Sequence, residues 1–79
     1  MDTIDYSAIG QRIKLIRKRN KLSQQELAEK LGKSLRTVQK YETGEIEVTI
    51  AIVNQIAEIL ETTPTYIMGI RLTQLPAGI

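Results

Sequence analysis

The sequence contains no cysteine and no histidine. Without cysteine there is no disulfide and no thiolate metal site, so carboxylates alone would have to hold any metal ion. The two absences together exclude Ser-His-Asp and Cys-His nucleophile systems and every zinc finger. Tryptophan and phenylalanine are missing too, and the three aromatic residues are tyrosines. No stretch approaches the ~18 apolar residues of a membrane span. The N-terminus lacks the basic-then-apolar order of a signal peptide. An absence of cysteine is compatible with a reducing compartment. The expectation is a soluble cytoplasmic protein with no catalytic chemistry, no cofactor, no metal, no membrane contact and no evident small-molecule ligand.

What is present must hold the fold by other means. The chain has 79 residues and 8.9 kDa, room for one small domain. Such a domain buries only about 60% of the surface its unfolded chain exposes. With disulfides excluded and metals poorly supported, helix packing, self-association or both remain as the source of stability.

The net charge of +2 conceals a division. Residues 1–40 carry ten basic side chains against four acidic ones, a net of +6. Residues 41–79 carry Arg71 against Glu42, Glu45, Glu47, Glu58 and Glu61, a net of −4. A basic half beside an acidic half suggests an electrostatic footprint on one side of the molecule, with the acidic half facing away from it. Chance segregation of solvated charges is the plainer alternative.

Apolar residues recur at helical spacing. Tyr6, Ile9, Ile13 and Ile16 predict a first helix over roughly 6–20, capped by Ser7 or Asp5. Its polar face gathers Arg12, Lys14, Arg17, Lys18, Arg19 and Lys21. The last of these also suit the negative end of the helix dipole. Ser23-Gln24-Gln25-Glu26 is a capping box opening a second helix, over 24–31, that Gly32 ends. Ser34 caps a third, with Val38 and Tyr41 inward and Gly44 at its end. Thr49 caps a fourth, from about 50 to 61, and Thr62-Thr63-Pro64 stops it and starts a short fifth that Gly69 closes. The segment 70–79, with Pro76 and Gly78, has no clear period and reads as a tail, linker or dimer contact after a domain over 1–69.

Two short capped helices joined by a turn containing Gly32 are the layout of a helix-turn-helix. Ala28 allows the two to cross closely, and Leu22, Leu27, Leu31, Val38 and Tyr41 supply their shared core. On the third helix Arg36, Gln39 and Thr43 point away from the buried direction, flanked by Leu35 and Lys40. Arg and Lys donate to the acceptor edge of guanine, Gln pairs with adenine, and an exposed Leu packs on a thymine methyl. The same face would also serve as an ordinary solvated surface, Leu35 excepted.

The run Leu22-Ser23-Gln24-Gln25-Glu26-Leu27-Ala28-Glu29-Lys30-Leu31-Gly32 resembles the opening of the helix-turn-helix in phage-repressor and Cro-type regulators, the XRE family. Val38, Tyr41, Glu42 and Gly44 match the end of that family's recognition helix. Ile56-Ala57, Leu60, Pro64 and Tyr66-Ile67-Met68-Gly69 resemble its fourth and fifth helices. The resemblance spans roughly residues 6–69. It implies an all-α, compact five-helix, lambda-repressor-like DNA-binding domain that reads double-stranded DNA.

The resemblance also implies roles. Gln24, beside Gln25, would meet a phosphate at the N-terminus of the second helix. Leu35, Arg36 and Lys40 would read base edges in the major groove, with Ser34, Thr37 and Gln39 beside them and Thr43 on a backbone phosphate. Arg17 and Glu42 would form a partly buried salt bridge between the first and third helices. One departure is the loop Glu45-Ile46-Glu47-Val48, acidic and apolar where relatives often carry basic residues and a proline. That loop therefore offers a phosphate only its backbone N–H groups, while Lys33 is placed to compensate and Lys14 or Lys18 to reach flanking phosphates.

The fourth helix looks too apolar for one core face. Ile50, Val53, Ala57 and Leu60 form the expected inward stripe, leaving Ile52 and Ile59 further round. With Ile67, Met68 and Ile70 they make a candidate homodimer interface, unless the tail covers them within one chain. The leading expectation is a homodimeric repressor on a palindromic operator. Its rivals are an antitoxin-like or adaptor protein-interaction module that retains the fold, and the DNA-binding part of a longer repressor. An enzyme would have only scattered carboxylates to work with.

Overall fold

The computed structural model describes residues 4–69, and the expected tail at 70–79, Ile70 included, lies outside them. Among the described residues there are five α-helices and no strand. They are α1 (Tyr6–Arg19), α2 (Gln24–Leu31), α3 (Leu35–Thr43), α4 (Ile50–Ile59) and α5 (Pro64–Met68).

Each helix starts the same way. The side chain of Asp5, Ser23, Ser34, Thr49 or Thr63 accepts a hydrogen bond from a backbone N–H in the first turn, at 3.0–3.2 Å. Such a cap satisfies one of the donors a helix start leaves unpaired and stabilises by about 1 kcal/mol. At Ser23 the box is complete, since Glu26 Oε1 accepts from the Ser23 N–H at 2.8 Å. Helix α2 ends at Gly32 with φ +72°, a left-handed conformation that costs glycine little. Helices α1 and α4 end without glycine, and Lys21 (φ +59°) and Glu61 (φ +56°) take the left-handed position instead.

Helices α2 and α3 pack on each other, α3 lies against α1, and α4 sits between α2 and α5. Ile9, Ile13, Ile16, Leu27, Ala28, Leu31, Val38 and Tyr41 form one side of a continuous core, with Val48, Ile52, Val53, Ile56, Ala57, Leu60 and Ile67 completing it. Leu22 is only partly buried against this cluster. Gly10 sets the α1–α3 distance. A Cβ there would collide with the carbonyl oxygen of Tyr41 and lie 2.5 Å from that of Glu42.

Two expectations are corrected at α4. Helical periodicity puts Ile50 in the inward stripe, yet it is 71% exposed. The same periodicity leaves Ile52 outside it, yet Ile52 is buried in the core with Ile56. The cause is two-sided packing. A helix lying against both α2 and α5 buries a wider arc than one covered on a single side. That arc runs from Ile52 to Ala57, and Ile50 falls beyond its edge, at the first helical residue. The wide apolar face therefore does not by itself require a second chain. Ile67, the second interface expectation, is fully buried in the same core because α5 packs on both α1 and α4.

Candidate nucleic-acid interface

The exposed side of the helix-turn-helix is assembled by the polar core beneath it. Glu42, on the buried side of α3, accepts from Arg17 twice, Nε to Oε2 at 2.6 Å and Nη2 to Oε1 at 3.1 Å. Arg17 Nη1 also donates to the Leu22 carbonyl at 2.8 Å, which ties the end of α1 to the approach to α2. Glu42 Oε1 accepts a third bond, from Gln24 Nε2 at 2.9 Å. Both charged side chains are almost wholly buried, and no buried side-chain polar atom among the described residues lacks a partner. The pair thus holds α1, α2 and α3 in one fixed arrangement, with the bidentate geometry that favours arginine over lysine.

On the opposite side of α3, Arg36, Gln39, Lys40 and Thr43 line an open concavity of about 250 Å³ together with Glu45. The side chains of Arg36, Gln39 and Lys40 make no hydrogen bond to other described residues, so their donors face solvent. Leu35 is 38% exposed at the start of the same helix. The Thr43 hydroxyl donates to the Lys40 carbonyl at 3.2 Å. Ser34 and Thr37 are engaged with each other, Oγ to Oγ1 at 2.9 Å, and Ser34 also caps the helix. Ser34 is exposed.

Gln24 and Gln25 stand at the N-terminus of α2, next to α3. Gln24 is held by Glu42 and keeps one amide N–H free, while Gln25 Nε2 donates to Glu29 at 3.1 Å. The backbone N–H groups of both find no partner among the described residues, which leaves the positive end of α2 open. Lys14, Lys18 and Lys33 are exposed. Arg12, expected on the solvated face of α1, instead reaches α5, donating from Nη1 to the Ile67 carbonyl at 3.3 Å.

Sequence reasoning missed three structural contributors. Gly10 carried no signal beyond its size. Asn20 donates to both the Ile16 and Leu60 carbonyls, at 2.9 and 3.2 Å, and so ties the ends of α1 and α4 together. Glu45, expected to face away from the basic side, borders the concavity.

The interface expectations divide. Ile52 and Ile67 belong to the core of one chain, while Ile59 and Met68 are partly buried against it. The apolar surface that α4 and α5 leave open is a groove of about 190 Å³ lined by Ile50, Val53, Asn54, Pro64, Thr65 and Met68. Among the described residues no helix is long and apolar enough to cross a membrane, and no group of carboxylates is placed to hold a metal ion.

Comparison with known proteins agrees with this geometry. The HTH_3 helix-turn-helix family matches residues 13–67. An uncharacterized HTH-type transcriptional regulator of Sinorhizobium fredii, y4aM, is 38% identical over 58 residues, which is 73% of this chain and 41% of that protein. This chain therefore spans less than half of that relative's length. Among solved structures, the restriction-modification controller protein C.AhdI from Aeromonas hydrophila superimposes with a TM-score of 0.76 at 28% identity, covering 82% of this chain and 98% of its own. An HTH_3 family transcriptional regulator from Vibrio cholerae gives 0.72 at 31% identity, covering 81% of this chain and 36% of its own. The clp gene regulator ClgR from C. glutamicum gives 0.77 at 18% identity, covering 91% and 99%, and shares the fold. The helix pair, its buried ion pair and these matches lead to one assignment: the chain belongs to the HTH_3 helix-turn-helix family.

Proposed function

We propose that this protein is a sequence-specific, homodimeric cytoplasmic repressor that places α3 in the major groove of a palindromic operator. The observation that carries the reading is the α3 concavity. Arg36, Gln39 and Lys40 present unpaired donors there, beside the open N-terminus of α2. Arg36 and Lys40 donate to guanine edges and Gln39 pairs with adenine, while Leu35 packs on a thymine methyl. Gln24, Gln25 and the α2 backbone N–H groups take a phosphate, with Thr43 taking another as α3 leaves the groove. Ser34 and Thr37, already bonded to each other, act at the margin of this contact.

Residues 1–69 make up the DNA-binding unit in this reading, and 70–79 follow it as a tail. The second copy docks on the α4–α5 groove through Ile50 and Met68, and the buried Ile52 and Ile67 take no part. Two recognition helices about 34 Å apart would then meet two half-sites. Operator occupancy excludes polymerase, with no chemical step.

Selection of bound sequences from a random DNA pool tests the reading directly. The expected product is a two-half-site motif, and Arg36→Ala should relax preference at one position and weaken specific binding by about 1–3 kcal/mol. If Arg36→Ala and Lys40→Ala both leave affinity and preference unchanged, α3 is not the reading helix. Sedimentation of Ile50→Glu beside the wild type tests the dimer, and two equal monomeric masses would end that part. The apolar groove favours a second reading, an antitoxin-like or adaptor module. Salt separates the two, because DNA affinity falls steeply as salt rises and apolar docking does not.

A further inference from the structure

Glu45 is the first residue after the α3 cap, and it lines the concavity together with Arg36, Gln39, Lys40 and Thr43. It is exposed, and it makes no ion pair or side-chain hydrogen bond among the described residues. Its position is nonetheless fixed. The Glu45 N–H donates to the Lys40 carbonyl at 3.0 Å, alongside a bond of the same length from Gly44. Gly44 has φ +83°, and a Cβ on it would lie 2.7 Å from the Ser7 Cα of α1, so this corner is wedged against the first helix. Beyond it Ile46 is partly buried and Val48 fully so. The carboxylate thus projects from an anchored corner and not from a loose loop.

A carboxylate is an acceptor only. Phosphates and most major-groove base atoms are acceptors or negative as well, so nearly everything DNA offers would repel it. The exceptions are the exocyclic amino groups of cytosine and adenine, and adenine sets the N7 acceptor beside its amino group. We propose that Glu45 is a specificity-determining residue that accepts a hydrogen bond from a cytosine N4 amino group at the end of each half-site and disfavours every other base there. The inference rests on the DNA-binding reading above and refines it. It also gives the acidic start of the loop a role where basic residues were expected, since discrimination can arise from what a site repels as much as from what it attracts.

The test is the same random-pool selection run with the wild type, Glu45→Ala and Glu47→Ala, with binding to a fixed random duplex measured in parallel. Wild type and Glu47→Ala should both enrich cytosine at one position per half-site, a position distinct from the one Arg36→Ala relaxes. Glu45→Ala should flatten that position by about 5- to 160-fold, the range of a good base-edge contact. It should also tighten binding to the random duplex. If Glu45→Ala strengthens binding by one factor at every sequence and leaves the motif intact, the carboxylate only repels phosphate and the proposal is overturned. An unchanged motif with unchanged affinity overturns it too. If wild type enriches no sequence, the DNA-binding reading has failed and the proposal falls with it, an outcome distinct from a motif that is present but indifferent to Glu45.

Discussion

Helices α3 and α4 are nearly the same length and use their surfaces in opposite ways. Helix α3 buries Val38 and Tyr41 and then completes its inner face with a charged residue, Glu42. Helix α4 buries four apolar residues, Ile52, Val53, Ile56 and Ala57, and leaves another, Ile50, in solvent. The difference teaches that polarity alone does not decide which side of a helix is inside. Burial follows the number of neighbours that cover the helix and the partners that a polar group finds. Glu42 is tolerated because three N–H donors meet it. Ile50 is left out because it lies past the edge of an arc that α2 and α5 already fill.

The largest test of this contrast is at Glu42. Glu42→Ala leaves Arg17 buried without its carboxylate and should cost about 3–5 kcal/mol in urea unfolding. That is a large part of the ~5–15 kcal/mol that holds a typical domain together. The paired change Arg17→Met with Glu42→Leu should recover much of the loss, because two apolar groups leave no charge stranded. A loss below about 1 kcal/mol for Glu42→Ala would mean that the pair is not the keystone its geometry suggests.

Most of the fold was legible because helix ends carry strong local chemistry. Ser23 with Glu26, then Gly32, Ser34, Gly44, Thr49 and Pro64, mark boundaries within a residue or two of those observed. The Arg17–Glu42 pair followed from resemblance, and no spacing rule would have joined residues 25 apart. Tertiary packing was the illegible part. The periodicity of α4 shows how wide its apolar arc is but not that two helices cover it, so Ile50 and Ile52 exchanged places. For the candidate site, the outward face of α3 was readable from helical geometry. The approach of Glu45 to that face was not, since it depends on the left-handed turn at Gly44 pressed against α1.

The exchange at α4 predicts the next largest effect. Ile52→Ala removes buried methyl groups and should destabilise by about 2–4 kcal/mol. Ile50→Ala, at an exposed position two residues away, should shift the monomer by less than about 0.5 kcal/mol. Equal costs for the two would return Ile50 to the core and undo the two-sided account of α4. Measuring at low protein concentration keeps any self-association through Ile50 out of the comparison.

The smallest effect lies at the helix ends, where α3 and α4 differ again. Helix α3 ends on Gly44, whereas α4 runs through Leu60 to Glu61 in a left-handed conformation. A non-glycine residue there carries roughly 1–2 kcal/mol of steric strain. Glu61→Gly relieves that strain, but it also frees the unfolded chain, which offsets about 0.5–1 kcal/mol. The net gain should therefore be about 0.5–1 kcal/mol. In a domain of this size that corresponds to a melting temperature higher by about 2–8 °C. Lys21→Gly, at the equivalent position after α1, should gain as much by the same argument. The pair separates backbone strain from charge, because one change removes a negative side chain and the other a positive one. Equal gains would attribute the effect to the left-handed turn. Gains of opposite sign would attribute it to charge at the helix C-termini, where Lys21 complements the dipole and Glu61 opposes it.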